Sequence, residues 1–554
     1  MQIVGQQQRA EQRQPYGLPQ HFSLLFSLTK GGLIMKSFKM SNFRGWMILL
    51  GILLFARGLA AQTPALSQHP VNVILWFDTE DYLLPADDDA DKRLADLLSQ
   101  RHIRATFKVV GEKARVLEAR GRRDVIEALS HHCIGYHSNF HSVHPAPAEY
   151  MADCGLLDGI EEFVRHEARG AADVGRIFSV PSLACYGQPG SSWTPQAVAA
   201  LWQCGIGTDG VPCYVDSGSH VGLGGKPFWY CGVLTVYNMS PNETRMDLWA
   251  DGGLAKGERE FKAIADQLSS QGGGLISIYY HPCEWVHEKF WDSVNFSRGA
   301  NPPRGQWKAP PQRPAAETDA AFDRYAAYID FMRSLPEIHF VTACDLPKLY
   351  PDPLRTEGAS RADLLAIANH IVDPGYRGAD AQVIAGHSYS PADQFALLAE
   401  ALASHIHHPS EAATESSLKE PDHLLGPDSA PPTDAKPRTI DWFAFRDATL
   451  DADDYVQQHH RIPARVFIGP DAVAPADFLS AMAKAFVDWN RSGQPPKDIS
   501  IPSGIELLSA RHVIKNSPKV YGGWIIHREN FEAPKVLDVA RLQAWTLKPA
   551  MPAN

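Results

Sequence analysis

Short apolar runs alternate with amphipathic segments along residues 71–342. The predicted strands are residues 71–77, 105–110, 134–136, 177–180, 274–280 and 338–342, and the predicted helices are residues 88–100, 124–129, 195–204 and 319–335. Leu94, Leu97 and Leu98 show the helical spacing, since they would lie on one face of the first helix. Repeated strand–helix units indicate an α/β fold in which parallel strands form a sheet or a barrel.

The pattern changes after residue 354. The later segments are two predicted helices at 361–372 and 391–404, a linker or exposed loop rich in Pro, Ser, Asp and Glu at 409–437, and aromatic and apolar runs at 442–486 and 513–545. We therefore expect a catalytic domain at residues 62–353 and a smaller mixed α/β or α+β region at residues 354–554. Tyr389–Ala399 is weakly similar to cell-wall-binding repeats, so binding of cell wall or glycan is one role open to the C-terminal region.

The first part of the chain has the order of a signal peptide. Basic residues precede an apolar stretch at 46–56, and small residues follow it. This stretch is shorter than the roughly 20 residues that span a bilayer. Residues 1–61 are therefore interpreted as an extension and a signal peptide, with the true start at Met35 or Met40, and the protein as secreted or periplasmic. The alternative is a membrane anchor formed by residues 46–61.

Charge and cysteine content narrow the function classes. The formal net charge is −11, which argues against a nucleic-acid partner because phosphate binding needs a basic face. All eight cysteines lie between Cys133 and Cys344 without a CxxC pair, which argues against a zinc ribbon. The sequence leaves open whether these cysteines form disulfides or are buried free thiols.

Two polar clusters carry candidate chemistry. Asp78, Glu80 and Asp81 follow the first predicted strand, and clustered carboxylates repel one another unless a cation lies among them. Helix capping is the alternative for these acids. His137 and His141 would share one face of a helical turn, although two surface histidines are the alternative. Two imidazoles and a carboxylate form the ligand set of an open catalytic site for a divalent metal, with zinc favoured.

The sequence resembles a known family over residues 70–350, about half of the chain. The family is the polysaccharide deacetylases, carbohydrate esterases with a NodB-type homology domain. Its five motifs are matched in order by Phe77–Asp81, His137–His141, Pro181–Gly187, Thr208–Gly210 and Leu275–His281. The resemblance implies a distorted parallel (β/α) barrel, a bound divalent metal, and hydrolysis of N-acetyl groups on a carbohydrate substrate.

The resemblance also implies a role for each motif residue. Asp78 corresponds to the general base, and His281 to the general acid that protonates the departing amine. Asp209 is expected to orient the His281 imidazole and fix its tautomer. His137 and His141 correspond to metal ligands.

The first and third motifs depart from the family pattern. Two residues separate Asp78 from Asp81, where the family has adjacent aspartates. Either Glu80 or Asp81 then completes the metal site, and relatives with Asp-x-acid spacing favour Glu80. The third motif of the family contains an Arg that tethers the base, and this sequence has none in place. Arg176 is nearby but at the wrong end of the predicted strand.

Residues around the motifs indicate a sizeable ligand. The amide of Tyr186 is the implied donor to the oxyanion, and Gly187 follows it in the same loop. Trp193 and Trp285 are candidates for stacking on sugar rings through dispersion contacts. Packing of these loops onto the barrel is an equal alternative for the aromatic residues.

The sequence thus predicts an exported metal-dependent deacetylase of a cell-wall or capsular polysaccharide. One alternative is a C–N hydrolase of a small amide on the same fold. A site that opens into a groove favours the polysaccharide, and a closed site favours the small amide. The other alternative is a glycan-binding homologue that has lost activity.

The metal assignment predicts the effect of removing both histidines. A His137→Ala/His141→Ala double variant is expected to bind less divalent metal than the wild type, because two of three ligands are gone. Elemental analysis of the purified proteins measures this. Retention of the full wild-type metal content by the double variant would contradict the assignment.

Overall fold

The computed structural model describes residues 69–246, 252–408, 417–434, 436–515 and 518–553. The predicted signal segment therefore lies outside the described residues. Among the helices that are described, none combines the length and the apolar character needed to cross a membrane.

A mainly parallel sheet organises the first half of the chain. Its strands are β1 (Val71–Thr79), β2 (Thr106–Val109), β3 (Cys133–Tyr136), β4 (Cys213–Val215), β5 (Phe228–Tyr230), β6 (Val233–Val236), β7 (Glu243–Arg245), β8 (Gly274–Tyr280) and β9 (Ile338–Val341). β1 pairs in parallel with β8 along one edge and with β2 and β9 along the other. β3 follows β2, and parallel bridges through Tyr186 connect β3 to β4. β6 and the antiparallel β5 continue from β4, so the predicted (β/α) architecture is confirmed.

Helices cover this sheet. They are α1 (Pro85–Gln100), α2 (Gly111–Ala119), α3 (Arg123–Ser130), α4 (Pro147–Tyr150), α5 (Leu156–Ile177), α6 (Pro195–Ala200), α7 (Gly253–Ser270), α8 (Trp291–Asn295) and α9 (Ala315–Arg333). β1 is apolar along most of its length and buried at nearly every position, as expected for a strand covered on both faces. Leu94 and Leu98 of α1 are fully buried in the shared core, which confirms the helical spacing read there.

One predicted strand is wrong. Residues 177–180 do not form a strand, because α5 continues to Ile177 and Phe178 caps its end. Phe163, Ala171 and Val174 are buried at helical spacing along α5, so Ile177 belongs to the last turn of an amphipathic helix and residues 178–180 follow its end.

The C-terminal region has a second core. The helices that follow β9 are α10 (Leu346–Leu349), α11 (Pro353–Thr356), α12 (Arg361–Val372), α13 (Pro391–His407), α14 (Trp442–His459), α15 (Pro475–Ser492), α16 (Pro518–Gly522) and α17 (Pro534–Gln543). Its strands are β10 (Gly378–Ala379), β11 (Gln382–Ile384), β12 (His387–Tyr389), β13 (Arg438–Asp441), β14 (Val466–Ile468), β15 (Asp471–Val473), β16 (Asp498–Ile501), β17 (Glu506–Leu507) and β18 (Lys548–Pro549). Every residue of Tyr389–Ala399 is buried here, which leaves this segment no exposed face for a glycan.

The end of the chain returns to the first core. Val513, Val539 and Leu547 are buried together with residues of β1, β2 and β8. β18 extends the main sheet by pairing antiparallel with β5. The predicted boundary between residues 353 and 354 therefore does not separate two independent cores, because residues near the end of the chain pack into the first core.

The structure contains both a disulfide and free cysteines, the two alternatives that the sequence left open. Cys133 at the start of β3 and Cys344 just after β9 form a disulfide across 211 residues of sequence. The other six cysteines are free thiols, four of them buried.

A buried lysine connects the C-terminal segments. Lys548 Nζ lies 2.8 Å from Asp352 Oδ2, 3.0 Å from Asp393 Oδ2 and 3.9 Å from Glu420 Oε2. Burial opposes its charge, but the three carboxylates raise the pKa of Lys548 above its usual value. The ammonium group is therefore the cation around which these acids are packed.

Replacing Lys548 by Met is expected to destabilise the protein by about 3–5 kcal/mol, because buried carboxylates lose their counter-ion while side-chain volume is nearly kept. Chemical denaturation followed by circular dichroism measures this. The control is Lys348→Met, at an exposed lysine, with an expected change within about 0.5 kcal/mol. Equal stability of the two variants would contradict the role of Lys548.

Candidate active site

A cavity of about 540 Å³ opens beside the carboxyl ends of β1 and β8. The ends of parallel strands are where barrels of this kind collect their polar groups. Its wall includes Asp78, Glu80, His141, Asp216, His281 and Trp524. The cavity thus brings together the predicted base, acid and metal ligands with two residues that the sequence motifs did not indicate.

Strand geometry separates the three acids at the end of β1. Side chains two positions apart point to the same side of an extended chain, so Asp78 and Glu80 share a side and Asp81 takes the other. Glu80 has a carboxylate oxygen within 4.8 Å of ring nitrogens of His137 and His141. The Oδ1 atom of Asp81 accepts a hydrogen bond from Leu83 N at 2.9 Å. Glu80 is therefore the candidate ligand, and Asp81 lies outside this group.

The two histidines are held by an irregular turn. Ser138 and His141 have φ values of 65° and 58°. The chain is therefore not helical here, although the spacing of His137 and His141 suggested a helical turn. The Oγ atom of Ser138 accepts a hydrogen bond from His141 N at 3.1 Å, which closes the turn. His137 and His141 still converge, with ring centroids 5.0 Å apart.

Each histidine uses Nδ1 for a hydrogen bond and leaves Nε2 for the site. His137 Nδ1 lies 3.0 Å from the carbonyl oxygen of Gly187 and donates to it. Ser142 Oγ donates to Asp292 Oδ2 at 2.9 Å, so it accepts from His141 Nδ1 at 2.6 Å. Such outer hydrogen bonds fix the tautomer in which Nε2 carries a lone pair, as in metal-binding histidines.

The resulting donor set fits a divalent metal. Glu80 Oε2 lies 2.9 Å from His141 Nε2 and 3.6 Å from His137 Nε2. Among the described residues, His141 Nε2 is buried without a hydrogen-bond partner. Burial lowers the pKa of both rings, that of His141 to about 4, so both are neutral at physiological pH. Glu80, His137 and His141 are therefore the residues that would hold a divalent cation.

A lysine tethers the predicted base. Lys108 Nζ lies 2.9 Å from Asp78 Oδ1 and 2.5 Å from Asp216 Oδ2, and all three side chains are buried. The β1–β2 register places Lys108 directly beside Asp78. Burial raises the pKa of Asp78, but its interactions with the His137 ring and the Lys108 ammonium group lower it more, to about 2. Lys108 thus provides the cation that the missing Arg was expected to provide, whereas Arg176 pairs with Glu118 on the surface.

His281 faces Asp78 across the cavity. Its Nε2 lies 3.5 Å from Asp78 Oδ2, and its Nδ1 lies 2.8 Å from Glu284 Oε1. Burial lowers the pKa of His281, but the carboxylates of Glu80 and Glu284 raise it to about 9. The residue that orients His281 is therefore Glu284 and not Asp209, which lies exposed in the turn at residues 208–211.

The third-motif loop has a different role from the one expected. The Tyr186 amide donates to Cys213 O at 3.0 Å and the Gly187 amide donates to Tyr136 O at 3.1 Å. Both amides are thus engaged in the sheet and are not free to bind an oxyanion. Gly187 instead contributes its carbonyl oxygen to His137.

Two predicted substrate-binding tryptophans are core residues. Trp193 is 1% exposed and stacks on His220, while Trp285 is 1% exposed and stacks on Tyr280. The alternative of loop packing is therefore correct for both. The aromatic residues of the cavity are instead Tyr279, Phe290 and Trp524.

The C-terminal segment supplies part of the cavity wall. Trp524 lies edge-on to His141, with ring centroids 5.7 Å apart, and Ile525 lines the same cavity. The carbonyl oxygens of Ile525 and Ile526 accept hydrogen bonds from Arg298 N and Gly299 N at 2.8 and 2.9 Å. The wall is therefore anchored to the loop that follows His281 in sequence.

Close packing around Gly187 predicts a sensitive position. A Cβ atom there would lie 2.1 Å from Lys108 Nζ and 2.2 Å from Asp216 Oδ2. Gly187→Ala is therefore expected to destabilise the protein by about 1–3 kcal/mol, because the buried ion pair must shift. Thermal or chemical unfolding measures this.

The matched control is Gly305→Ala, since a Cβ atom at Gly305 meets no atom within 4 Å. The control is expected to change stability by about 0.5 kcal/mol or less. An unchanged stability in both variants would mean that the Lys108–Asp216 pair tolerates displacement.

Comparison with known proteins identifies similarity in structure only. No protein-family model and no curated protein sequence matches the chain. A protein from Mycobacterium smegmatis assigned as a polysaccharide deacetylase matches 52% of this chain and 92% of its own at 13% identity and a TM-score of 0.31. A Streptococcus mutans CE4 esterase matches 50% and 87% at 14% identity and a TM-score of 0.28.

Further solved structures show the same level of likeness. A chitin deacetylase from Colletotrichum lindemuthianum matches 51% of this chain and 88% of its own at 14% identity and a TM-score of 0.26. A CE4 family pseudoenzyme matches 50% and 66% at 10% identity and a TM-score of 0.25. At these TM-scores the similarity carries no weight for the chemistry, which depends on the residues of this cavity.

Proposed function

We propose that the protein is a metal-dependent hydrolase that removes N-acetyl groups from a carbohydrate. The observation that carries the proposal is one cavity lined by Asp78, Glu80, His141 and His281, where His137 completes a potential metal-binding group with Glu80 and His141. A carboxylate base and an imidazole acid next to a divalent site form the apparatus of amide hydrolysis.

The roles follow from the charge states of the side chains. Asp78 is a carboxylate at neutral pH and accepts the proton of the attacking water. His281, in its protonated form, donates a proton to the departing nitrogen. A divalent cation held by Glu80, His137 and His141 would supply Lewis-acid polarisation of the acetyl carbonyl.

The cavity suits a sugar as the group that carries the acetyl. Its volume of about 540 Å³ falls within the range of pockets for small ligands. Its lining combines the aromatic residues Phe290 and Trp524 with the polar residues Gln188, Ser191 and Ser217. A mixture of aromatic and polar residues suits a pyranose ring with its hydroxyl groups.

We also propose that the protein acts outside the cytoplasm, as a secreted or periplasmic enzyme. The Cys133–Cys344 disulfide supports this location, because disulfides persist in oxidising compartments. The signal-like pattern of residues 1–61 supports the same proposal.

One observation favours a second candidate, the hydrolysis of a small amide on the same fold. Trp524 and Ile525 form one wall of the cavity, and a site enclosed by aromatic side chains, which was expected from the Trp-rich loop after His281, suits a small substrate. The two candidates differ in whether acetate is released from N-acetylated oligosaccharides or only from small N-acetyl compounds.

Acetate release from N-acetylated oligosaccharides tests the proposal. The metal-loaded wild type is expected to release acetate, and Asp78→Asn to lose about 10²–10⁴ in kcat while retaining metal, because proton transfer is lost. Asp209→Asn is the control and is expected to match the wild type, since Asp209 is exposed on a turn.

Acetate from small amides alone would favour the second candidate. Metal binding without acetate release from any substrate would contradict both candidates.

A further inference from the structure

A second buried group of potential ligands lies beside the first. Oxygen atoms of Asp81 and Asp87 and a ring nitrogen of His287 lie within 4.8 Å of one another, and all three residues are buried. Asp81 follows β1, Asp87 lies in the first turn of α1, and His287 follows the 3-10 helix Pro282–Trp285. Three separate segments therefore converge here.

The nearby cations are already committed to other acids. Lys113 Nζ lies 2.8 Å from Asp88 Oδ1 and 2.8 Å from Asp91 Oδ2. Arg120 Nη1 lies 2.7 Å from Asp88 Oδ2. Lys113 reaches Asp81 only at its backbone carbonyl oxygen, at 2.7 Å. The carboxylates of Asp81 and Asp87 therefore face each other without a bonded side-chain cation.

Asp81 Oδ1 accepts a hydrogen bond from Leu83 N, and the other three carboxylate oxygens have no donor among the described residues. These three atoms, Asp81 Oδ2 and both carboxylate oxygens of Asp87, are buried. Buried carboxylates in this state are costly unless a cation lies between them.

His287 points its ring into the same space. The side chain is 1% exposed, and its Nε2 lies 2.8 Å from Asp87 Oδ1 and 3.8 Å from Asp81 Oδ2. Despite the short approach, His287 Nε2 makes no hydrogen bond with either carboxylate. A ring nitrogen and two carboxylate oxygens that converge without a hydrogen bond between the ring and the acids are arranged as ligands of a shared ion would be.

We propose that Asp81, Asp87 and His287 form a second divalent metal site, separate from Glu80, His137 and His141. One imidazole and two carboxylates suit zinc or a similar first-row divalent ion. The ion neutralises the two unpaired carboxylates and fixes the position of three segments. Because Asp81 adjoins Glu80 and His287 lies six residues after His281, the site braces both sides of the catalytic cavity. The site does not depend on the proposed deacetylase activity.

Metal stoichiometry of the full chain tests the proposal. Metal-free protein is dialysed against Zn²⁺ and analysed by elemental analysis, with about two equivalents expected for the wild type. Asp87→Asn and His287→Gln are each expected to bind about one equivalent. Asp89→Asn is the matched control, since Asp89 is the exposed acid two positions along α1, and it is expected to bind about two.

A second measurement avoids substitution at the new site. The His137→Ala/His141→Ala variant is expected to keep about one equivalent and to show a Zn²⁺-dependent rise in Tm, since binding to the folded state stabilises it. Adding His287→Gln to this double variant is expected to abolish both the remaining Zn²⁺ binding and the Zn²⁺-dependent rise in Tm. The proposal would be overturned if the wild type bound only one equivalent of Zn²⁺, or if the His137→Ala/His141→Ala variant bound none.

Discussion

The ammonium group of Lys108 lies between the carboxylates of Asp78 and Asp216, and the candidate site is arranged around it. A buried lysine is stable only when its charge is paired and its hydrogens are bonded. Lys108 meets this requirement by joining the end of β1 to the end of β4, and the ring of Trp76 covers it at 4.1 Å. Gly187 leaves room for the pair, and the same residue's carbonyl oxygen orients His137. The positions of base, lysine and metal-binding imidazole are therefore interdependent.

The sequence predicted the parts of the site that depend on local pattern. Asp78 and His281 were found because each directly follows a long apolar strand, and His137 and His141 because of their spacing. Glu80 was favoured over Asp81 by analogy, and the alternation of side chains along an extended strand explains the outcome. These features need only a few neighbouring residues to be recognised.

The remaining parts depend on contacts between distant segments. Asp216 also follows a strand, but β4 has only three residues and gave no clear periodic signal. Asp209 was assigned the role of orienting His281, which Glu284 takes, because a loop gives no indication of which acid turns inward. Lys108 could have been noticed as a charge within an apolar run, but its partners depend on the register of β1 and β2. Trp193 and Trp285 were predicted to stack on the ligand, but a large aromatic ring in a loop can equally well be buried against the protein core.

The return of the chain to the first core has a consequence for how the protein matures. Trp524, which forms one wall of the cavity, is synthesised long after the strands that carry Asp78 and His281. β18, which completes the sheet beside β5, comes later still. During vectorial synthesis the emerging chain therefore holds its proton-transfer groups in an unfinished pocket. Synthesis of Trp524 and Ile525 thus sets the earliest time at which the pocket is complete, and a chain terminated before them carries the motifs without the finished cavity.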